Sequence, residues 1–126
     1  MARILIVDDD DEFRGSVAAV LEHEGYQTLS AVNGKDGYAK AQQEKPDLML
    51  LDVMMTHDSE GFEIARQLHD DPTTSHLPVI IVTGIRKAKS LPFSFEPDED
   101  WLPVKAVLEK PVKPETLVKA VRAALG

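Results

Sequence analysis

Short apolar runs alternate along the chain with longer stretches in which apolar residues recur at helical spacing. Ile4 to Val7, Leu48 to Leu51 and Val79 to Val82 are continuously aliphatic, the pattern of strands buried on both faces. Phe13, Val17, Val20 and Leu21 share one helical face, as do Phe62, Ala65 and Leu68; Leu117, Val118, Val121 and Leu125 repeat the pattern near the end. Gln27 to Ala31 predicts a weaker strand and Ala106 to Glu109 a short final one. The boundaries carry their own signals. Asp10 or Asp11 suits the N-cap of the first helix and Gly25 its end, Asn33 caps a second helix running towards Glu44, and Pro114 with Glu115 fits the first turn of the last.

Strands separated by helices predict right-handed crossovers and a parallel α/β sheet covered on both faces. All carboxyl ends of such a sheet share one edge, and ligands bind there where the strand order reverses. The residues just past the apolar runs therefore belong together: Asp8 and Asp9 after the first strand, Asp52 after the third, Thr83 with Gly84 after the fourth, and Lys110 after the fifth.

Composition sharpens this picture. The chain has 126 residues, 43% of them hydrophobic, enough for one ordinary globular domain. Its formal net charge of −8 disfavours direct binding to nucleic acid or to an anionic membrane. Without cysteine there is neither a disulfide framework nor a thiolate metal site. No apolar run approaches membrane-spanning length and the N-terminus lacks a secretory pattern, so a cytoplasmic protein without membrane insertion is expected.

A cation is the natural partner of the acids. Clustered carboxylates at a half-buried strand edge repel one another and are costly to desolvate unless a cation sits between them. Magnesium fits best, being hard, oxygen-seeking and commonly held by one or two carboxylates plus phosphoryl oxygens. Asp52 then suits a nucleophile that forms an aspartyl phosphate, with Lys110 offsetting charge on the transferring group and the Thr83 hydroxyl donating to one of its oxygens. Asp10 and Asp11 suit caps and solvated charge at the positive end of the first helix. His23, His69 and His76 show no metal-ligand spacing.

In order and approximate spacing, IVDD at Asp8 and Asp9, LMLLD at Asp52, VIIVTG at Thr83 and EKPVKP at Lys110 resemble the receiver domains of two-component response regulators, over almost the whole chain. The resemblance implies a flavodoxin-like, doubly wound five-stranded parallel sheet of order 2-1-3-4-5. It implies that Asp52 accepts a phosphoryl group from a histidine kinase or histidine phosphotransfer protein. Asp9 and Asp52 would bind magnesium directly, Asp8 through water, and the Met54 backbone carbonyl would add a ligand. Thr83 and Lys110 would contact the phosphoryl oxygens, and the Lys110–Pro111 bond would be cis.

Three departures from the family pattern stand out. Thr56 occupies a usual proline position and Gly61 arrives one residue late, so the loop over the site is altered, with His57 and Asp58 near its rim. Val107 replaces the usual switch aromatic. Between Gly84 and Lys110, where many receivers have a fourth helix, Pro92, Pro97 and Pro103 argue against a continuous helix and predict a shortened helix or a loop over 85–105. Phe93, Phe95 and Trp101 in that stretch either pack on the sheet or form a docking surface. Met54 and Ile85, at positions that orient attacking water in the family, are apolar, so slow loss of the phosphoryl group is expected.

The expected protein is thus a single receiver domain over 1–126 with no output domain, a monomer or weak homodimer, acting by contact with a downstream effector protein rather than as a turnover enzyme. A degenerate receiver that docks partners without phosphorylation is the alternative. A flavin-binding domain is disfavoured by four acids where a phosphate loop would lie. An aspartate-dependent phosphatase is disfavoured by the lack of a second acid two residues past Asp52.

Overall fold

The computed structural model describes residues 2–52, 60–83, 106–109 and 112–125. In chain order the elements are β1 (Arg3–Val7), α1 (Asp11–His23), β2 (Gln27–Ala31), α2 (Gly34–Glu44), β3 (Leu48–Leu51), α3 (Glu60–Asp70), β4 (Val79–Thr83), β5 (Ala106–Glu109) and α4 (Pro114–Leu125). The strands form one sheet of order β2-β1-β3-β4-β5, and every pairing is parallel. Strand order reverses between β1 and β3. The stretch expected to replace a fourth helix, together with Phe93, Phe95 and Trp101, lies outside the described residues.

The continuous aliphatic runs are explained by two cores, one on each face of the sheet. Leu5, Val7, Met49, Leu51 and Ile81 point to one side, with Ala41 of α2 and Ile64 and Leu68 of α3 packed among them. Ile4, Ile6, Leu48, Leu50 and Ile80 point to the other, against Val17 and Leu21 of α1 and Leu117 and Val121 of α4. Since neighbouring side chains on a strand face opposite ways, both sets must be apolar, and alternation disappears from β1, β3 and β4.

The predicted caps form. Asp10 stays extended at the start of α1 and accepts from the amides of Glu12 and Phe13 at 3.0 and 3.3 Å. Asn33 does the same for α2 through the Asp36 amide at 2.8 Å. Gly25 takes φ +94° after α1, a left-handed value available to glycine without steric cost.

Gly37 brings α2 unusually close to the strand that carries the acids. A Cβ built there would lie 2.7 Å from Val7 Cγ2 and 3.0 Å from Val7 Cγ1. Alanine normally favours a helix over glycine by about 1 kcal/mol, but here it would collide with a branched side chain whose residue is 1% exposed. Gly37→Ala is therefore expected to destabilise the fold by about 1–3 kcal/mol, measured as a lower urea midpoint; a rise would mean that Val7 yields readily.

A polar tie on the same side joins α2 to the turn after α3. The Asp71 carboxylate accepts from the Tyr38 hydroxyl at 2.5 Å, Gln42 Nε2 at 2.8 Å, the Thr73 amide at 2.9 Å and the Thr73 hydroxyl at 2.8 Å. Donation first by Tyr38, then by Thr73 and Gln42, holds the Asp71 carboxyl well below the usual carboxylate range. The same bond raises the Tyr38 hydroxyl above its ordinary value.

Candidate metal and phosphoryl site

Register brings the acids together. Val7 pairs with Leu51, so the residues that follow, Asp8 and Asp52, leave adjacent strands side by side at the reversal of strand order. The Asp52 amide donates to the Val7 carbonyl at 2.9 Å, and the Asp8 amide to the Ala31 carbonyl at 3.1 Å. Both acids are thus fixed through their main chains to neighbouring strands.

Asp8 is 1% exposed and Asp52 4%, while Asp9 is exposed. One carboxylate oxygen from each of the three lies within 4.8 Å of the others. Carboxylates are seldom fully buried, and three brought this close repel one another unless a cation lies between them. Two buried oxygen ligands beside an exposed one match a hard cation that retains water on its open side. The donor set therefore fits magnesium. Among the described residues, His23, His69 and His76 join no such group.

The turn itself is internally bonded. The Asp10 amide donates to Asp8 Oδ1 at 2.9 Å, which orients that carboxylate, and Asp10 in turn caps α1. Asp11 begins the helix and pairs with Arg14. Asp10 thus serves as the cap, and Asp11 is the acidic first-turn residue. Arg14 also donates from Nη1 to the Asp8 carbonyl oxygen. Sequence reasoning missed this residue, although its place three positions after Asp11 is a legible helix-pair signal.

The remaining predicted residues are placed in part. Thr83 ends β4, one residue longer than the apolar run, and pairs in register with Glu109, which immediately precedes Lys110 in the chain. Val107 lies within β5 and pairs with Ile81. Lys110, Pro111, Met54, Thr56, His57, Asp58 and Ile85 lie outside the described residues.

A doubly wound parallel sheet with an acid cluster at its topological switch point defines a receiver-type signalling domain. The chain belongs to the response regulator receiver domain family, whose model matches residues 4–122. It is 44% identical to Protein PilH of Pseudomonas aeruginosa over 129 residues, an alignment covering 100% of this chain and 99% of that protein. It is 43% identical over 84 residues to the longer Response regulator PleD of Caulobacter vibrioides, of which the match covers 18%. Among solved structures, a CheY-like response regulator receiver domain protein from Methanospirillum hungatei superposes with a TM-score of 0.82 at 30% identity, covering 99% of this chain and 94% of that one. The flavodoxin-like fold and the membership of two-component signalling are thereby shown. Among the described residues, no helix is long and apolar enough to cross a membrane.

Proposed function

We propose that Asp52 is the phosphoacceptor of this receiver and that its phosphorylation, dependent on magnesium, switches contacts with other proteins. The observation that carries this reading is the position of buried Asp52, held beside Asp8 and Asp9 with ligand oxygens within 4.8 Å. A carboxylate oxygen of Asp52 attacks phosphorus, the bond from phosphorus to the donor histidine nitrogen breaks, and an acyl phosphate forms on Asp52. Asp8, Asp9, Asp52 and the Met54 carbonyl would hold the magnesium, which supplies charge neutralisation for the phosphoryl oxygens when bound. Thr83 and Lys110 take the phosphoryl oxygens, the first as a hydroxyl donor and the second as a cation.

The donor is a histidine kinase or histidine phosphotransfer protein, and the recipient of the signal is a downstream effector protein. The domain promotes its own phosphoryl transfer without acting as a turnover enzyme. It works in the cytoplasm, monomeric or weakly dimeric. Its net charge of −8 supports action through protein contact rather than direct binding of nucleic acid.

The test is intact mass after incubation with acetyl phosphate and magnesium. The expected result is a gain of one phosphoryl group in the wild type and none in Asp52→Asn or in EDTA. If the wild type gains nothing and also binds neither magnesium nor beryllofluoride, the chain acts instead as a docking module independent of phosphorylation.

A further inference from the structure

The hydrogen-bond ladder between β1 and β2 ends at the pair Val7 and Ala31. The next acceptor along β1 is the carbonyl of Asp8, in a residue that is 1% exposed. Buried carbonyls are as a rule hydrogen-bonded. Arg14, in the first turn of α1, reaches back to supply a donor, placing Nη1 on the Asp8 carbonyl oxygen and Nη2 on Asp11. Its side chain is only 13% exposed, well below what is usual for arginine.

The carbonyl that Arg14 holds belongs to the peptide plane joining Asp8 to Asp9. That plane is rigid, so fixing its oxygen constrains ψ of Asp8 and φ of Asp9 together, and with them the directions in which two of the three clustered carboxylates leave the backbone. The Asp10 amide fixes the Asp8 carboxylate from its other side. A lone cation beside three carboxylates would compete with a bound metal, but the second guanidinium nitrogen is turned to Asp11. Two-point contact by a planar fork suits this task, and an ammonium group cannot reproduce it.

We propose that Arg14 is a positioning residue for the metal site, setting magnesium affinity through the Asp8–Asp9 peptide rather than through contact with the ion. This rests on the reading that the three carboxylates bind magnesium. It gives opposite signs for geometry and for charge: if Arg14 acted only as a positive charge, its removal would tighten cation binding.

Magnesium binding is measured by titration calorimetry for the wild type, Arg14→Ala, Arg14→Lys and Asp11→Asn. Melting in EDTA establishes a temperature at which each is folded. Arg14→Ala is expected to weaken binding by roughly tenfold or more, the usual cost of losing a partner that orients metal ligands. Arg14→Lys keeps the charge but not the two-point grip and should fall between Arg14→Ala and the wild type. Asp11→Asn leaves the bond to the carbonyl and should stay within about threefold of the wild type, since Asp11 is exposed and screened. Equal or tighter binding by Arg14→Ala overturns the proposal. Should that variant not fold, equal or tighter binding by Arg14→Lys overturns it in the same way. Absence of binding by the wild type is a different result, which removes the magnesium reading itself and this inference with it.

Discussion

Asp8→Asn is expected to abolish magnesium-dependent phosphoryl gain at Asp52 and, in the same protein, to raise the melting temperature measured in EDTA. The opposed effects follow from one geometry. Asp8 and Asp52 are 1% and 4% exposed, and with Asp9 they offer oxygens within 4.8 Å of one another. Without a cation these charges repel, and relief of one of them contributes on the order of 1 kcal/mol after solvent screening, or about 3–5 °C for a domain of this size. Asparagine retains an oxygen at the place where Asp8 Oδ1 accepts from the Asp10 amide at 2.9 Å, so the cap of α1 survives. The metal loses the anionic group that holds it through water, and affinity should fall by up to about a hundredfold, the upper end for a group that supports the ligands. Thermal melts in EDTA and across a magnesium titration, with intact mass after acetyl phosphate, check both halves. A lower melting temperature in EDTA would show that hydrogen bonds to the Asp8 carboxylate outweigh the repulsion, and the cluster would then be a structural feature rather than a site held open for a cation.

Much of this site is legible in the sequence because its acids follow the residues that make the fold. An aliphatic run must be buried on both faces, its end must lie at the edge of the sheet, and Asp8 and Asp52 stand at those ends. The register of Val7 with Leu51 then completes a juxtaposition that spacing alone only suggests. The weak signal at Gln27–Ala31 also has a physical reason: β2 is an edge strand of the sheet, and only Ala31 within it is buried. What sequence does not show depends on distances between elements. The close approach of Gly37 to Val7 is set by how deeply α2 sinks onto the sheet. The Asp71 tie joins residues 33 and 29 positions apart. The grip of Arg14 depends on a main-chain carbonyl left beyond the end of a ladder, which no side-chain pattern announces.

The two-core architecture makes the second large effect additive. Leu21 of α1 and Leu68 of α3 are 0% and 1% exposed, yet they belong to clusters on opposite faces of the sheet. Each truncation to alanine removes buried methyl groups and leaves a cavity, an expected loss of about 2–5 kcal/mol. Because the two side chains have no packing cluster in common, the double variant should lose the sum to within about 0.5 kcal/mol. Against a total stability of roughly 5–15 kcal/mol for a small domain, that sum brings the metal-free protein close to unfolding. Urea titrations in EDTA should show the midpoint falling with little change in slope for the single variants. Strong non-additivity would mean that β1 and β3 transmit strain between the faces, so that the cores act as one. Magnesium supplies an independent check, since neither leucine belongs to the acid cluster. At about a hundred times the dissociation constant, the ion should restore roughly 2.7 kcal/mol to each single variant, whereas restoration confined to one of them would assign the support of Asp8 and Asp52 to the opposite face.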